Sequence, residues 1–453
     1  MSAFALRGAL VTFVGDPFVD GIAATRRYEP DALVVIDNGR VRDCGPAADV
    51  ARRLAPGVPV TAYANALITA GFVDAHVHYP QLPIIGAGGK PLLDWLATYT
   101  FPAEARFADA AYARAVARVY LRESLRHGIT TAAVFATVHA VSVDVLFEEA
   151  DALGLRLVAG KVLMDRNAPA ALLDTAQRGY DESKRLIARW HGRGRLAYAI
   201  TPRFAVTSSP AQLEAAGALK REHPDAYVQS HLSENRAEIA RVAELFPDAA
   251  SYLDVYAKYG LTGPRTIYGH GVHLAEADFR ALHAAGTALA HCPTSNNFLG
   301  SGLFPLAIAT DPRRPVRVGL ATDVGGGTSL SMLRTMQAAC EVAQMAGAPL
   351  SPAGALYLAT RGAARALDVD DRIGSVAPGM DADLAVLDLR STPLIDFRMC
   401  DVDDIDEALA VQMALAGDRA IRATYVAGRL AYDREAPDRD PIDMRSGRGT
   451  AAP

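Results

Sequence analysis

Short apolar runs recur along the chain, each ending in a polar or glycine-containing motif, with amphipathic or alanine-rich stretches of helical period between them. The run ends read ALITAGFVDAHVH, GITTAAVFAT, LRLVAGKVLM, RLAYAITPRF, AYVQSHLSEN, RTIYGHGVHL, TALAHCPTSN and RVGLATDVGG. Eight strand–helix units over residues 69–370 predict an α/β fold of the (β/α)8 TIM-barrel type, whose active site lies at the carboxyl ends of the strands. Every polar motif just quoted falls at such an end.

The flanks follow another pattern. Residues 1–68 carry short strands such as ALVVIDNGRVRDCG, with a hairpin turn at Asp37-Asn38-Gly39, and residues 371–440 carry DADLAVLDL and IRATYVAGRLAYD. Residues 1–68 and 371–453 are therefore expected to form one small β-sandwich domain from both ends of the chain. From Glu435 onward, APDRDPIDMRSGRGTAAP has the proline, glycine and charge content of a loose tail.

Composition narrows the class. The chain has 453 residues, half of them hydrophobic and 21% charged, which is ordinary for a folded globular enzyme. A formal net charge of −5 argues against nucleic acid or a membrane surface as partner, since both favour a basic face. Cys44, Cys292, Cys340 and Cys400 show no CxxC pair and no framework spacing, so a reducing cytoplasm is the simpler setting. The N-terminus reads as the start of a β-domain rather than a signal peptide, and no apolar stretch approaches the roughly 20 residues of a membrane span.

The candidate chemistry begins at GFVDAHVHYPQ, where His76 and His78 are two apart on a strand and so share a face. Two imidazoles converging on one point suit a metal; a hydrogen-bonded pair of histidines is the alternative for the motif alone. Strand five adds His231 with Glu234 three residues on, strand six adds His270, and strand eight adds Asp323. Imidazole and carboxylate are ligands zinc accepts, and iron accepts the same set. Taken together, these residues fall at the mouths of strands one, five, six and eight of one barrel.

This pattern of HxH, two later histidines and a final aspartate resembles the amidohydrolase superfamily, whose two-ended β-domain also matches the flanks. More narrowly, GFVDAHVHYPQ, LLDWLATYTFPAE, GKVLMDRN, TPRF, HLSEN, HCPTSNNFLGSGLF and GLATDVGGGTSLSMLRTM resemble its guanine deaminases, from residue 71 to residue 336. The resemblance implies one zinc per chain held by His76, His78, His231 and Asp323. It further implies His270 beside the metal site, and Gln81, Arg203 and Phe204 against a purine that His231, Glu234 and Asp323 also face. Glu234 would carry protons, the products would be xanthine and ammonia, and the assembly would be a homodimer. AGGKP at residues 87–91 and Asn297 depart from the usual pattern without touching the proposed ligands.

Chemistry supports these roles. Guanine's C2 is a poor electrophile and water a poor nucleophile at pH 7, which a zinc ion corrects by lowering the pKa of bound water to about 7. Glu234 can take the water's proton and deliver it to the ring nitrogen next to C2. Asp323 can direct the attack and His270 can stabilise developing charge. A related aminohydrolase acting on 8-oxoguanine, a pterin or a triazine is the runner-up, and a barrel without a working metal site is the reading from outside enzymes.

Other residues tempt less. Lys161 lies in strand three rather than after strand four, which favours a structural role over a bridging carboxylated lysine and hence one metal. The glycine runs at 86–89 and 325–327 lack the spacing of phosphate loops. His127, His191, His223 and His283 fall in helical or loop contexts. His139, His273 and His291 lie nearer the mouth, and Cys292 reads as packing.

Overall fold

The computed structural model describes residues 3–436. The chain opens with strands β1 (Phe4–Phe13), β2 (Arg26–Asp37), β3 (Arg40–Pro46) and β4 (Val60–Ala70). The barrel follows as β5 (Phe72–His78), β6 (Ile129–Phe135), β7 (Arg156–Gly160) with its short continuation β8 (Val162–Leu163), and β9 (Leu196–Pro202). It is completed by β10 (Tyr227–Leu232), β11 (Thr266–His270), β12 (Ala288–His291) and β13 (Val318–Leu320). Strands β14 (Leu384–Asp388), β15 (Ile421–Val426) and β16 (Arg429–Asp433) end the described chain. The tail expected from Glu435 lies, beyond residue 436, outside the described residues.

Seven strands from the two ends form a single sheet in the order β16-β15-β14-β4-β1-β2-β3. It curls on itself. Phe4 of β1 stacks on Tyr425 of β15 with ring centroids 6.1 Å apart, although two strands separate them in the sheet. The β2–β3 turn also reaches the chain that leads into β14, where Ala382 N donates to Gly39 O at 2.9 Å. One apolar cluster, including Leu6, Val34, Ile68, Leu384 and Tyr425, fills the fold. The sandwich is thus made by one bent sheet, and register shifts in β1, β2 and β4 supply the bends. Asn38 and Gly39 both take positive φ, as the expected hairpin turn requires.

The eight expected barrel strands are present, neighbours pairing in parallel in the order β5-β6-β7-β9-β10-β11-β12-β13. The run ALITAGFVDAHVH is two strands rather than one. β4 stays in the curled sheet, and Gly71 lets the chain pass into the barrel, since a β-carbon there would lie 2.3 Å from Thr130 Oγ1.

The first and last barrel strands meet through specific bonds. Asp323 N donates to His76 O at 3.0 Å, and Thr322 N donates to the Asp74 carboxylate at 2.9 Å. Small side chains such as Val73, Ala75, Ala133 and Ala290 fill the barrel interior, with Ala363, Leu367 and Ile373 packed against them. In β5 the pairing register shifts between Asp74 and Val77. Ala75 is interior and Val77 belongs to the outer layer, so the shift turns His76 and His78 together into the mouth.

Candidate active site

The carboxyl ends of the strands bring the expected residues together. His78 Nε2 lies 3.0 Å from His231 Nε2, and both His76 Nε2 and His78 Nε2 lie 3.5 Å from Asp323 Oδ1. Tetrahedral ligation at about 2.0 to 2.1 Å puts ligand atoms about 3.3 Å apart, and these three separations are close to that. Ligand atoms of His76, His78 and His231 lie within 4.8 Å of one another, and Asp323 groups in the same way with His76, His270 and Cys292. His76 Nε2 is buried without a hydrogen-bond partner. Burial, the neighbouring imidazoles and Arg203 hold His76, His78 and His231 well below the ordinary histidine range, which keeps the imidazoles neutral and their lone pairs available. His231 Nδ1 pairs with Arg203 O at 2.7 Å; its proton belongs there, leaving Nε2 as the free acceptor.

Around this cluster stand the remaining candidates. Glu234 is buried on the loop after β10, its Oε1 accepting from Ser301 Oγ at 3.0 Å and its Oε2 lying 3.4 Å from His270 Nε2. Burial pushes its carboxyl up to about 7, against the opposing effects of Ser301 and Arg203. His270 Nδ1 pairs with Asn296 Oδ1 at 2.9 Å, which aims Nε2 at Glu234 and, at 3.7 Å, at Asp323 Oδ2. His270 and Asp323 both have positive φ, a conformation costly for side chains of their kind and commonest at functional sites.

A cavity opens above the cluster and is lined by His78, Gln81, Arg203, Phe204, His231, Glu234, His270 and Asp323. Leu92, Trp95, Leu96 and Leu299 add an apolar wall. Trp95 is held by its indole N–H, which donates to Ala87 O at 2.5 Å.

The family model that describes the amidohydrolase family matches residues 67–431. This chain belongs to the amidohydrolase family. The guanine deaminase of Escherichia coli (strain K12) is 48% identical over 91% of this chain and 94% of its own. The solved structure of E. coli guanine deaminase matches with a TM-score of 0.93 and 46% identity, covering 95% of this chain and all of that one. Guanine deaminase from C. acetobutylicum, solved with bound guanine in its active site, matches with a TM-score of 0.84 and 29% identity over 95% of this chain and 100% of its own. The family is metal-dependent, and the histidine and aspartate cluster is this chain's candidate for that role.

Several residues at the site were not singled out by the sequence. Phe135, which ends β6, places its ring 4.7, 4.6 and 4.9 Å from the rings of His76, His78 and His231 and so packs all three. Glu104 receives Arg203 and Gln81, as described below. Asn296, on the short helix Pro293–Phe298 after β12, orients His270, and Ser301, just beyond that helix, orients Glu234. A signal existed for Glu104 alone: an arginine aimed into a pocket needs a buried counter-charge. Lys161 is fully buried against Asp174 and Glu182, away from the cluster, in keeping with a structural role. Cys292 Sγ lies near His76, His270 and Asp323, but burial pushes its thiol far up and keeps it protonated. Among the described residues no helix is long and apolar enough to cross a membrane.

Proposed function

We propose that this protein is a zinc-dependent guanine aminohydrolase that converts guanine and water to xanthine and ammonia, acting in the cytoplasm as a homodimer with one zinc per chain. The observation that carries the reading is that a proton carrier, Glu234, and a metal-type cluster face one cavity whose other wall holds Arg203 and Gln81. His76, His78, His231 and Asp323 would hold the ion; the convergence of His78 on His231 and of His76 and His78 on Asp323, with neutral imidazoles, supports this. When bound, zinc supplies Lewis acidity that makes water a nucleophile near neutral pH.

The chain's own residues account for the rest. Glu234 takes one proton of the attacking water and gives it to the ring nitrogen beside C2, where it stays. It then passes the proton of the hydroxyl on the tetrahedral C2 to the amino group, which leaves as ammonia as the C2 carbonyl forms. Ser301 holds Oε1, so Oε2 is the oxygen that faces the reacting centre. His270, oriented by Asn296, stabilises charge at the tetrahedral carbon, and Asp323 Oδ2 directs the water. Arg203 offers donors to the purine's O6 and N7, Gln81 holds the ring, and Phe204 packs against it. Leu92, Trp95 and Leu96 cover the ring and exclude bulk water.

The test is metal analysis together with ammonia release on the purified protein. One zinc per chain and ammonia from guanine, with none from adenine, is the expected result. No ammonia from guanine, or two tightly bound ions, would overturn the assignment.

A further inference from the structure

Glu104 is completely buried on the helical turn Phe101–Ala105, directly after the Leu92–Thr100 segment that walls the cavity. Both of its oxygens accept from Arg203 Nη1, at 2.9 and 2.8 Å, and Oε1 also accepts from Gln81 Nε2 at 3.2 Å. Phe101, on the same turn, sets its ring 5.8 Å from Arg203 Cζ. One short piece of chain therefore grips both side chains expected to meet the substrate.

From this geometry we infer that Glu104 is a positioning residue that sets the hydrogen-bonding polarity of the purine pocket, an inference that rests on the guanine deaminase reading above. An ionised carboxylate only accepts, so the Gln81 amide must turn its NH2 toward Glu104 and keep Oε1 as its free end. Gly325 closes the opposite side: a β-carbon there would come 2.4 Å from Gln81 Oε1, so a larger residue would displace the amide. Arg203, anchored through Nη1, keeps its other N–H groups for the cavity. The pocket thus presents donors from Arg203 and an acceptor from Gln81 in a fixed arrangement. Guanine's six-membered ring shows the complement, an O6 acceptor beside an N1–H donor. With Glu104 absent, Gln81 is free to flip and the complement is no longer specified.

Hypoxanthine and purine both lack the 2-amino group, and only hypoxanthine carries O6 and N1–H. Calorimetry on the zinc-loaded protein measures both affinities without turnover. Wild type is expected to bind hypoxanthine more tightly. Glu104→Gln, whose amide both donates and accepts, should narrow that ratio by about tenfold or more, as loss of a charge-assisted contact implies. Zinc content should stay at the wild-type level and KM for guanine should rise more than kcat falls. Glu104→Asp, which restores the charge, should recover part of the ratio. Should Glu104→Gln fail to fold, Gln81→Met removes the oriented acceptor instead and should narrow the ratio in the same way.

An unchanged ratio, equal weakening of both ligands, or a wild type that does not distinguish them overturns the inference. Because binding is read directly, these results stand apart from ammonia release, whose failure would sink the deaminase reading itself.

Discussion

Replacing Glu234 by glutamine keeps the shape of the side chain and removes its proton traffic. Glutamine Oε1 can still accept from Ser301, whose hydroxyl lies 3.0 Å from the carboxylate, so the local packing should survive. Loss of a general acid and base costs about 10² to 10⁴ in turnover, or about 3 to 5 kcal/mol in the barrier. Zinc content should match wild type because no proposed ligand changes. Stability should move the other way in the metal-free protein. Burial raises the Glu234 carboxyl from 4.5 to about 7, so the stability its protonated form contributes is present below pH 4.5 and lost as pH rises through 7. At pH 8 the ionised group costs on the order of 3 kcal/mol, which glutamine avoids. Metal-free Glu234→Gln should therefore melt at or above wild type at pH 8, with the gap closing toward pH 5. Ammonia release, metal analysis and paired thermal melts measure all three. A variant with wild-type zinc and turnover within about tenfold of wild type would remove Glu234 from the proton path.

His78→Ala should lose both zinc and ammonia release, because it deletes one of the four proposed ligand atoms; retained stoichiometric zinc would disprove its role. Ser301→Ala removes the hydroxyl that lowers the Glu234 carboxyl, so the acidic limb of the rate profile should move to higher pH by about one unit, at unchanged zinc content. Asp383→Ala strips Arg195 of its nearest buried carboxylate, leaving only Asp381 at 3.9 Å, and leaves Ala427 N unpaired, so the protein should lose up to about 3 kcal/mol of stability while KM for guanine stays near wild type. A melt unchanged from wild type would show that this pair does not tie the curled sheet to the barrel.

The barrel and its metal-type ligands were legible because both are periodic. Each strand is a short apolar run, and each ligand stands where such a run stops. Apolarity alone could not show that ALITAGFVDAHVH changes sheet at Gly71, because both sheets bury both faces there. Nor does a period of two explain why His76 follows Ala75 onto the interior side, since that depends on a shifted register with β6. Glu104 was hidden for a different reason. It comes from a helical turn 23 residues beyond Gln81, and its identity as a counter-charge exists only once the chain has folded. Phe135 read as one more core residue of an apolar strand, although its ring packs three imidazoles.

The seam between β5 and β13 would make the proposed metal site a fastener for the whole domain. His76 and His78 arrive on the first barrel strand and Asp323 just after the last, so a cation held among them joins parts of the chain that are about as distant in sequence as the barrel allows. In the unfolded chain those groups are far apart, and bringing them together is a long loop closure whose entropy the ion's affinity offsets. Barrel closure and metal binding are then linked equilibria. At a free-ion concentration 1,000 times its dissociation constant the folded state gains about 4 kcal/mol, and chelation returns it. Melting temperature should accordingly climb with free zinc. The same linkage predicts that a chain opened at this seam, with new ends between residues 320 and 322, depends on the ion for assembly more than the natural chain does.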